Sequence, residues 1–306
     1  MKSTNRKERW ITVESSNPFG QLILGGLTSG LLYALLLLGF MVVFQVSKTV
    51  NFAFGQVGMV AAFSAWFFWS SLGLPLPVAI GIGAILAVVV NSAIGIIVIT
   101  KIPAGRPGLD LVVTLGIFLF LTAVMQLLID ANAHAFPSLG GDKRTVLGGV
   151  VVNANDVAIM VLGVFVIGGV YVLFSRTTLG MELRASAENA DIAASAGVNV
   201  RLLRLGTWTF AGLLAALVAV LVASRLSVDA FYMTPVLIKA FVAGMIGGMD
   251  RFFAPLVIAI GIGVYEALAI FIWGSSAGTP AVFLLIIIAL AVMPKRFTAA
   301  RHEVRA

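Results

Sequence analysis

The sequence contains no cysteine and only two histidines, and these scarcities remove several kinds of chemistry. Without cysteine the chain cannot form a disulfide, use a thiolate nucleophile or build a cysteine metal site. The histidines, His134 and His302, fall in a predicted loop and a predicted tail, which argues against a histidine metal site or proton relay. The sequence also has no GxxxxGK[ST] segment, Ser-His-Asp set or pair of catalytic carboxylates. We therefore predict no catalytic site, no metal site and no cofactor in this chain.

Charged residues are scarce as well, at 11% of 306 residues, whereas apolar residues make up 60%. A soluble domain carries about 25% charged residues. Several apolar runs could cross a hydrocarbon core of roughly 30 Å as helices, the form in which every backbone group bonds within its own segment. We predict long spans near residues 20–45, 76–99, 110–129, 156–174, 205–224 and 253–273, and shorter segments at 52–70, 236–249 and 279–293. The predicted fold is an all-α membrane protein, a polytopic bundle of about eight transmembrane helices.

Basic residues cluster at the ends of the predicted spans, as the positive-inside rule describes. The net charge of +7 therefore predicts contact with membrane lipid and no nucleic-acid partner. The loop at residues 131–155 is poor in basic residues and is predicted to be external. The remaining assignments are a cytoplasmic tail at residues 1–18, one transmembrane domain at 19–294 that contains a cytoplasmic loop at 176–204, and a cytoplasmic tail at 295–306.

This topology requires an even number of crossings between the N-terminus and the basic loop near residues 100–109, yet three apolar segments lie between them. Residues 51–58, NFAFGQVG, make a poor lipid-facing start to a span because they contain Asn51, Gln56 and two glycines. They predict a broken or re-entrant helix that lines a protected cavity. The alternative is that the N-terminus lies outside despite its positive charges.

Residues 176–204, called the island below, carry seven of the 33 charged residues (20 basic and 13 acidic). Such a stretch cannot lie in hydrocarbon, so it must stand in water. Its alanine-rich part, residues 184–196, predicts a short helix that ends at Gly197. A slim helix of small side chains suits a groove on a partner, with Ile192 as an apolar anchor. The alternative is a solvated helix that only connects two spans.

Four ionisable residues fall within or beside the later apolar segments: Lys239, Asp250, Arg251 and Glu266. The pair Asp250-Arg251 follows two glycines and predicts a turn at the membrane surface. Lys239 lies near the start of a short segment, and we expect its long side chain to reach the surface. Glu266 lies deep in its span, where a carboxyl either serves a transport path or bonds to a neighbouring helix. So few titratable groups argue against ion coupling and favour a path driven by a partner.

Five ordered blocks carry a resemblance to a known family. The chain resembles the permease subunits of binding-protein-dependent ABC importers of the branched-chain amino acid type, from about residue 19 to residue 296. The matching blocks are GGLTSGLLYALLLLGFMVVF (25–44), NFAFGQVGMVAAF (51–63), TLGMELRASAENADIAASAGVNV (178–200), IKAFVAGMIGGMDRFFAPLVIAIGIGVYEAL (238–268) and LAVMPKRF (290–297).

The resemblance implies a non-enzymatic, multi-pass permease subunit in the bacterial inner membrane. Its implied partners are a second homologous permease, two cytoplasmic ATPase subunits that hold ATP and Mg²⁺, and a periplasmic substrate-binding protein. The island would be the cytoplasmic coupling helix that fits a groove on an ATPase. The residues implied in this coupling are Leu179, Gly180, Arg184, Ala185, Ala187, Glu188, Asp191, Ala194 and Gly197.

The resemblance also implies a translocation path near residues 51–63, for which we assign Asn51, Phe54, Gly55, Gln56 and, deeper in the chain, Glu266. Members of the family often carry His and Glu where this chain has Phe54 and Gln56, so this part of the path is less polar here. The expected solute is a branched-chain amino acid or a related small polar molecule such as urea, an amide or an aromatic acid.

Two other functions compete with this one. An ion-coupled secondary transporter would have only Glu266 and Lys239 as a coupling site. An integral membrane enzyme would need a cluster of Asp, His or Arg at the membrane surface, which the loops do not supply.

Overall fold

Long apolar helices dominate the computed structural model, which describes residues 17–48, 50–101, 108–129, 133–141 and 144–292. Within these residues, six helices are long and apolar enough to cross a membrane: Pro18–Ser47, Leu76–Val98, Leu109–Leu128, Ala154–Arg176, Val200–Ala223 and Phe253–Trp273. They coincide with the six long spans predicted from the sequence. The prediction of an all-α, polytopic membrane protein is therefore confirmed.

The described elements follow one another with short connections. In chain order they are α1 (Pro18–Ser47), α2 (Phe54–Ser70), α3 (Leu76–Lys101), α4 (Leu109–Ile129), β1 (Arg144–Leu147), β2 (Val150–Asn153), α5 (Ala154–Arg176), α6 (Thr178–Glu188), α7 (Ala190–Ser195), α8 (Val200–Ala223), α9 (Thr234–Gly247), α10 (Phe253–Trp273) and α11 (Gly278–Val292). A single 3₁₀ turn, Ser275–Ala277, precedes α11. The shorter helices α2, α9 and α11 correspond to the three shorter apolar segments.

The two strands form a small hairpin that the sequence analysis did not predict. Leu147 pairs with Val150, which leaves Gly148 and Gly149 as a two-residue turn. Both glycines have positive φ, 59° and 80°, as a type I′ turn requires. Two glycines between apolar residues are a hairpin signal, so the pattern at residues 144–153 would have supported this prediction.

Contacts between chain segments define two ends of the bundle. At the first, here the island end, Lys48 after α1 forms an exposed ion pair of 2.7 Å with Asp250, which lies between α9 and α10. At the second, the hairpin end, the backbone of Asn17 donates a hydrogen bond of 3.2 Å to Gly149 O. Arg225 after α8 lies 3.5 Å from Asp156 at the start of α5, at the same end. Helices α1 and α5 therefore run from the hairpin end to the island end, whereas α8 and α10 run from the island end to the hairpin end.

The direction of α1 bears on the predicted side of the N-terminus. The sequence analysis placed residues 1–18 on the same side of the membrane as the island. Asn17 and Pro18 instead lie at the hairpin end, because α1 begins there and runs to Lys48 at the island end. These contacts fit the alternative that the N-terminus lies on the other side, and the cytoplasmic assignment of residues 1–18 stays a prediction. Residues 1–16 lie outside the described residues, as do the tail 295–306 and most of the 100–109 loop.

Helix α1 forms the centre of the bundle. In the most apolar 18-residue stretch of α1, 78% of the residues are buried in the protein, whereas only 22% are buried in the corresponding stretches of α4 and α5. The side chains of α1 between Leu32 and Val43 are almost all buried, and they pack against α5, α8, α9 and α10. The exposed apolar faces of α4 and α5 suit lipid, where no hydrophobic penalty attaches to them.

After the exposed Lys48, the chain returns to the interior of the protein at Asn51, which is 1% exposed. Lys48 ends α1 in a left-handed conformation, with φ of 51°, and α2 begins at Phe54, whose side chain is 1% exposed. Asn51 stabilises the turn, since its Oδ1 accepts from Ala53 N at 3.0 Å and its backbone O accepts from Phe54 N at 3.2 Å. From there α2 is continuous. The irregular backbone predicted for residues 51–58 thus lies before the helix rather than within it, at residues 51–53, and Asn51 and Ala53 are buried in protein.

Candidate functional sites: the island surface and a polar cluster in the core

The island folds as two short helices instead of the single helix predicted for residues 184–196. Asn189 separates α6 from α7 because its backbone is extended, with φ of −151°, and its side chain caps α7. Its Oδ1 accepts hydrogen bonds of 3.0 Å from the backbone N–H groups of Asp191 and Ile192. Asparagine is a strong N-cap residue, and that signal was missed in the sequence. The predicted end at Gly197 is confirmed, with φ of 90°.

Helix α6 is fixed closely to the end of α5. An added Cβ at Gly180 would lie 2.4 Å from the carbonyl oxygens of Leu173 and Phe174, so the two backbones touch there. Arg184 extends back along α6, and its Nη1 donates a hydrogen bond of 2.8 Å to Phe174 O. Thr177 caps α6, with its Oγ1 accepting from Gly180 N at 3.1 Å. A displacement of α6 along the bundle would therefore carry the end of α5 with it.

The outer face of the island carries apolar side chains in an otherwise polar segment. Leu179, Met181 and Ile192 are 52%, 59% and 66% exposed. Of the nine residues predicted for coupling, seven are exposed: Leu179, Arg184, Ala185, Glu188, Asp191, Ala194 and Gly197. Gly180 is buried against α5, and Ala187 is half-buried. Exposed aliphatic side chains beside small and charged residues are the usual makeup of a protein-docking surface.

The second candidate site is a cluster of three side chains in the middle of the bundle: Tyr33, Lys239 and Glu266, called the core cluster below. Lys239 Nζ donates hydrogen bonds to Glu266 Oε1 and, at 3.3 Å, to Tyr33 Oη. Tyr33 Oη in turn donates to Glu266 Oε2 at 2.5 Å. The prediction that Lys239 reaches the surface is wrong, because its side chain is 4% exposed and opposes Glu266. Glu266 is therefore bonded to two neighbouring helices, to Tyr33 of α1 and to Lys239 of α9. A bond to a neighbouring helix was one of the two roles predicted for it.

The core cluster forms the inner end of a cleft of about 700 Å³. The cleft lies between the first half of α1, the first half of α9 and the second half of α10, and it extends to residues of the hairpin end such as Pro18 and Arg225. Its walls are mainly apolar, and the three charged residues among its described lining are Lys239, Glu266 and Arg225. Glu266, assigned from the sequence to the translocation path, therefore faces a cavity.

The other four residues assigned to the path lie elsewhere in the core. Asn51, Phe54 and Gln56 are each 1% exposed, and Gly55 is buried against Leu237. None of them is among the described residues that line the cleft. Gln56 Nε2 donates to Thr122 Oγ1 at 2.8 Å, while Gln56 Oε1 has no hydrogen-bond partner among the described residues. The structure thus separates these residues from Glu266 and does not assemble the five into one site.

A polar chain that was not predicted from the sequence joins the α1–α2 turn to α3 and α8. Asn51 Nδ2 donates to Asn91 Oδ1 at 3.1 Å, and Asn91 Nδ2 donates to Trp208 O at 2.5 Å. Asn91 is fully buried. A polar residue inside the span predicted at 76–99 was the available signal, because such residues at membrane depth usually bond across helices.

Comparison with known proteins decides the family. Residues 22–293 match the family described as the permease component of branched-chain amino acid transport systems. This chain belongs to that family. The permease is 26% identical over 291 residues to the high-affinity branched-chain amino acid transport system permease protein BraD of Pseudomonas aeruginosa, with 90% of this chain and 94% of BraD covered.

Two further relatives extend the comparison. The permease is 25% identical to LivH of Escherichia coli over 297 residues, with 90% of this chain and 94% of LivH covered. It is 26% identical to a probable branched-chain amino acid transport permease protein of Methanocaldococcus jannaschii, with 81% and 80% covered. No solved structure matches the chain. The resemblance inferred from the five sequence blocks is confirmed, and the relatives support a transport permease rather than a secondary transporter.

The contact between Gly180 and α5 gives a first testable prediction for the permease. Gly180→Ala should destabilise the protein by about 1–3 kcal/mol, because the new methyl group meets two rigid carbonyl oxygens at 2.4 Å. Gly168→Ala is the matched control, since a Cβ at that site on α5 has no atom within 4 Å. Unfolding of both purified variants in detergent by SDS titration measures the difference. Equal stabilities would mean that α6 does not rest on α5 as described.

Proposed function

We propose that this permease forms the translocation path of an ABC importer for branched-chain amino acids or a related small polar solute. Separate ATPase subunits drive it by docking on the island, and the chain itself hydrolyses no ATP. The observation that carries the proposal is the island surface, a pair of helices fixed to α5 on one side and exposing Leu179, Met181 and Ile192 on the other. A chain of the permease family with this surface and no P-loop needs such a partner for driven transport.

The complex then contains a second homologous permease, two ATPase subunits that hold ATP and Mg²⁺, and a periplasmic binding protein. Its location is the bacterial inner membrane, which bacterial relatives such as BraD and LivH support. The island end faces the cytoplasm and the hairpin end faces the periplasm. Charge supports this orientation, because Lys48, Arg184 and Arg201 lie at the island end, as the positive-inside rule expects.

The mechanism follows from how the island is attached. ATP binding draws the two ATPase subunits together, and each carries an island with it. The close contact at Gly180 and the hydrogen bond from Arg184 pass this displacement to the end of α5. The bundle then changes between a state open to the periplasm and a state open to the cytoplasm, and nucleotide shifts the balance between the two.

Ile192→Glu tests the docking surface. The substitution places a charge at the most exposed of the three apolar side chains, and loss of such an anchor costs about 2 kcal/mol of binding, roughly a thirtyfold weaker association. We expect the purified permease to lose its ATPase subunits and ATP-driven uptake to fall, while thermal unfolding stays unchanged because Ile192 is 66% exposed.

Leu147→Glu is the matched control for this experiment. It makes the same kind of change at a side chain that is 63% exposed, but on the hairpin at the opposite end. ATPase subunits should remain bound to it. The proposal fails if Ile192→Glu keeps its ATPase subunits, or if the wild-type permease purifies with none and transports without ATP.

A further inference from the structure

The cleft and the core cluster together describe a binding site that neither the family nor the relatives assign. We infer that the core cluster recognises the paired charges of a zwitterionic solute, with Glu266 taking the ammonium group and Lys239 the carboxylate. The inference rests on the proposed function, since it names the site in the permease that would bind the transported solute.

The charges of the core cluster match those of a zwitterion. An ion at membrane depth is costly unless an opposite charge is close, and a zwitterion brings one charge of each sign. Lys239 and Glu266 present one of each sign and are directly bonded to one another. A bound zwitterion would lie against the pair as a second, antiparallel pair, so that each charge gains a partner and the site stays neutral overall.

The cleft gives a solute access to the core cluster. The Glu266 side chain is 12% exposed and lines the cleft, so a solute in the cleft contacts it. Arg225, the other charged residue of the lining, lies 3.5 Å from the carboxylate of Asp156 and so has an opposing charge of its own. The charges available to a solute at the inner end of the cleft are therefore those of Lys239 and Glu266.

The position and the size of the cleft also suit a transported solute. Tyr33 lies near the middle of α1, a helix about 45 Å long, so the core cluster is near the mid-depth of the membrane, where transported solutes are commonly held. The volume of about 700 Å³ falls within the roughly 300–1,000 Å³ that is usual for small-molecule sites. The nearby wall includes Leu22, Val236, Ala267 and Ile270, which suit an aliphatic side chain.

Tyr33 has a positioning role in this site. Its hydroxyl donates to Glu266 Oε2 and accepts from Lys239, so it fixes the direction in which each charged group points. Glu266 Oε2 accepts the hydrogen bond from Tyr33. Glu266 Oε1 now accepts from Lys239, and it would accept from the ammonium group of the solute instead when the solute binds.

Equilibrium binding of radiolabelled L-leucine to the purified complex of permease and ATPase subunits in lipid nanodiscs, without the periplasmic binding protein, tests the inference. We expect Glu266→Gln and Lys239→Met each to bind leucine on the order of tenfold or more weakly than wild type, the equivalent of about 1.4 kcal/mol or more. Arg251→Gln, which removes an exposed charge at the island end, should bind as wild type does. Wild-type complex that shows no saturable leucine binding would overturn the inference.

Competition with two leucine analogues assigns the charges. 4-Methylpentanoate lacks the ammonium group, and 3-methylbutylamine lacks the carboxylate. Wild type should prefer leucine to each analogue by about tenfold or more, because the missing group leaves a buried charge unpaired. Glu266→Gln should lose its preference for leucine over 4-methylpentanoate. An unchanged preference in that variant would contradict the assignment of the ammonium group to Glu266.

A double variant separates recognition from structural support. Replacing a whole buried ion pair by apolar residues is often neutral for stability, whereas removing one partner is not. Lys239→Met with Glu266→Met should therefore unfold near the wild-type temperature and keep its ATPase subunits, yet fail to bind leucine. If it binds leucine as wild type does, the core cluster is structural only. That result leaves the proposed function intact, which is tested independently by ATP-driven uptake in the wild-type complex.

Discussion

Gly263→Ala should lower the free energy of unfolding of the permease by about 3 kcal/mol, near the upper end of the cost of overpacking. The reason is the close approach of α1 and α10. A Cβ at Gly263 would lie 2.3 Å from Gly30 N and 2.6 Å from Gly26 O, which are backbone atoms that cannot rotate away. The helices would have to separate, and the dispersion contacts along their whole interface would weaken.

The same separation should disturb the core cluster. Glu266 follows Gly263 by one helical turn on α10, and its carboxylate reaches Tyr33 on α1 at 2.5 Å. Moving α10 outward lengthens this hydrogen bond and draws Glu266 away from Lys239 on α9. Gly263→Ala should therefore bind leucine more weakly than wild type, provided that the core cluster recognises it, even in lipid where the variant remains folded.

Gly261→Ala is the matched control, because it adds the same methyl group to the same helix at a site with no atom within 4 Å. It should be neutral or slightly stabilising, by up to about 1 kcal/mol from the better helix propensity of alanine. SDS titration of both purified variants measures the difference. Equal stabilities in the two variants would contradict the close packing of α1 against α10.

The sequence predicted the helices well because hydrophobic length determines them. Each long apolar run had to become a helix for its backbone to be satisfied in lipid, and the positions of α1, α3, α4, α5, α8 and α10 followed. The direction of α1 did not follow, because the predicted side of the N-terminus depended on charges at residues 1–18, while direction depends on which segments the ends of α1 contact. Those contacts form only in the folded structure, so the sequence of α1 and its flanks does not reveal them.

In the candidate sites, too, local features could be predicted from the sequence, whereas contacts between distant segments could not. The exposed face of the island was predictable, since polarity and small residues are local properties of the chain. The core cluster was only partly predictable: Lys239 and Glu266 are unusual residues at membrane depth, but nothing local indicates that they meet. Their partner Tyr33 lies more than two hundred residues away in sequence from both. Conversely, Gln56 and Glu266 shared a predicted path, and the packing of α2 against α3, α8 and α9 keeps Gln56 outside the cleft.

Arg184→Ala should separate ATP hydrolysis from transport. The Arg184 guanidinium ties α6 to the last turns of α5 through its hydrogen bond to Phe174 O, whereas the apolar docking face at Leu179 and Ile192 does not depend on it. The variant should keep its ATPase subunits and continue to hydrolyse ATP, but uptake per ATP should fall on the order of tenfold, because a docked island that slips against α5 transmits little displacement.

Arg201→Ala is the appropriate control, since it removes an exposed arginine from the same island without touching the bond to Phe174. Its uptake per ATP should match wild type. Arg184→Lys should recover part of the loss, because an ammonium can still donate to the Phe174 carbonyl but lacks the reach and planar geometry of the guanidinium. Uptake and ATP hydrolysis measured together in proteoliposomes show which contact between α6 and α5 transmits the displacement, the hydrogen bond from Arg184 or the close packing at Gly180. If Arg184→Ala retains full coupling, the contact at Gly180 alone carries the displacement, and Gly180→Ala should then be the variant that uncouples.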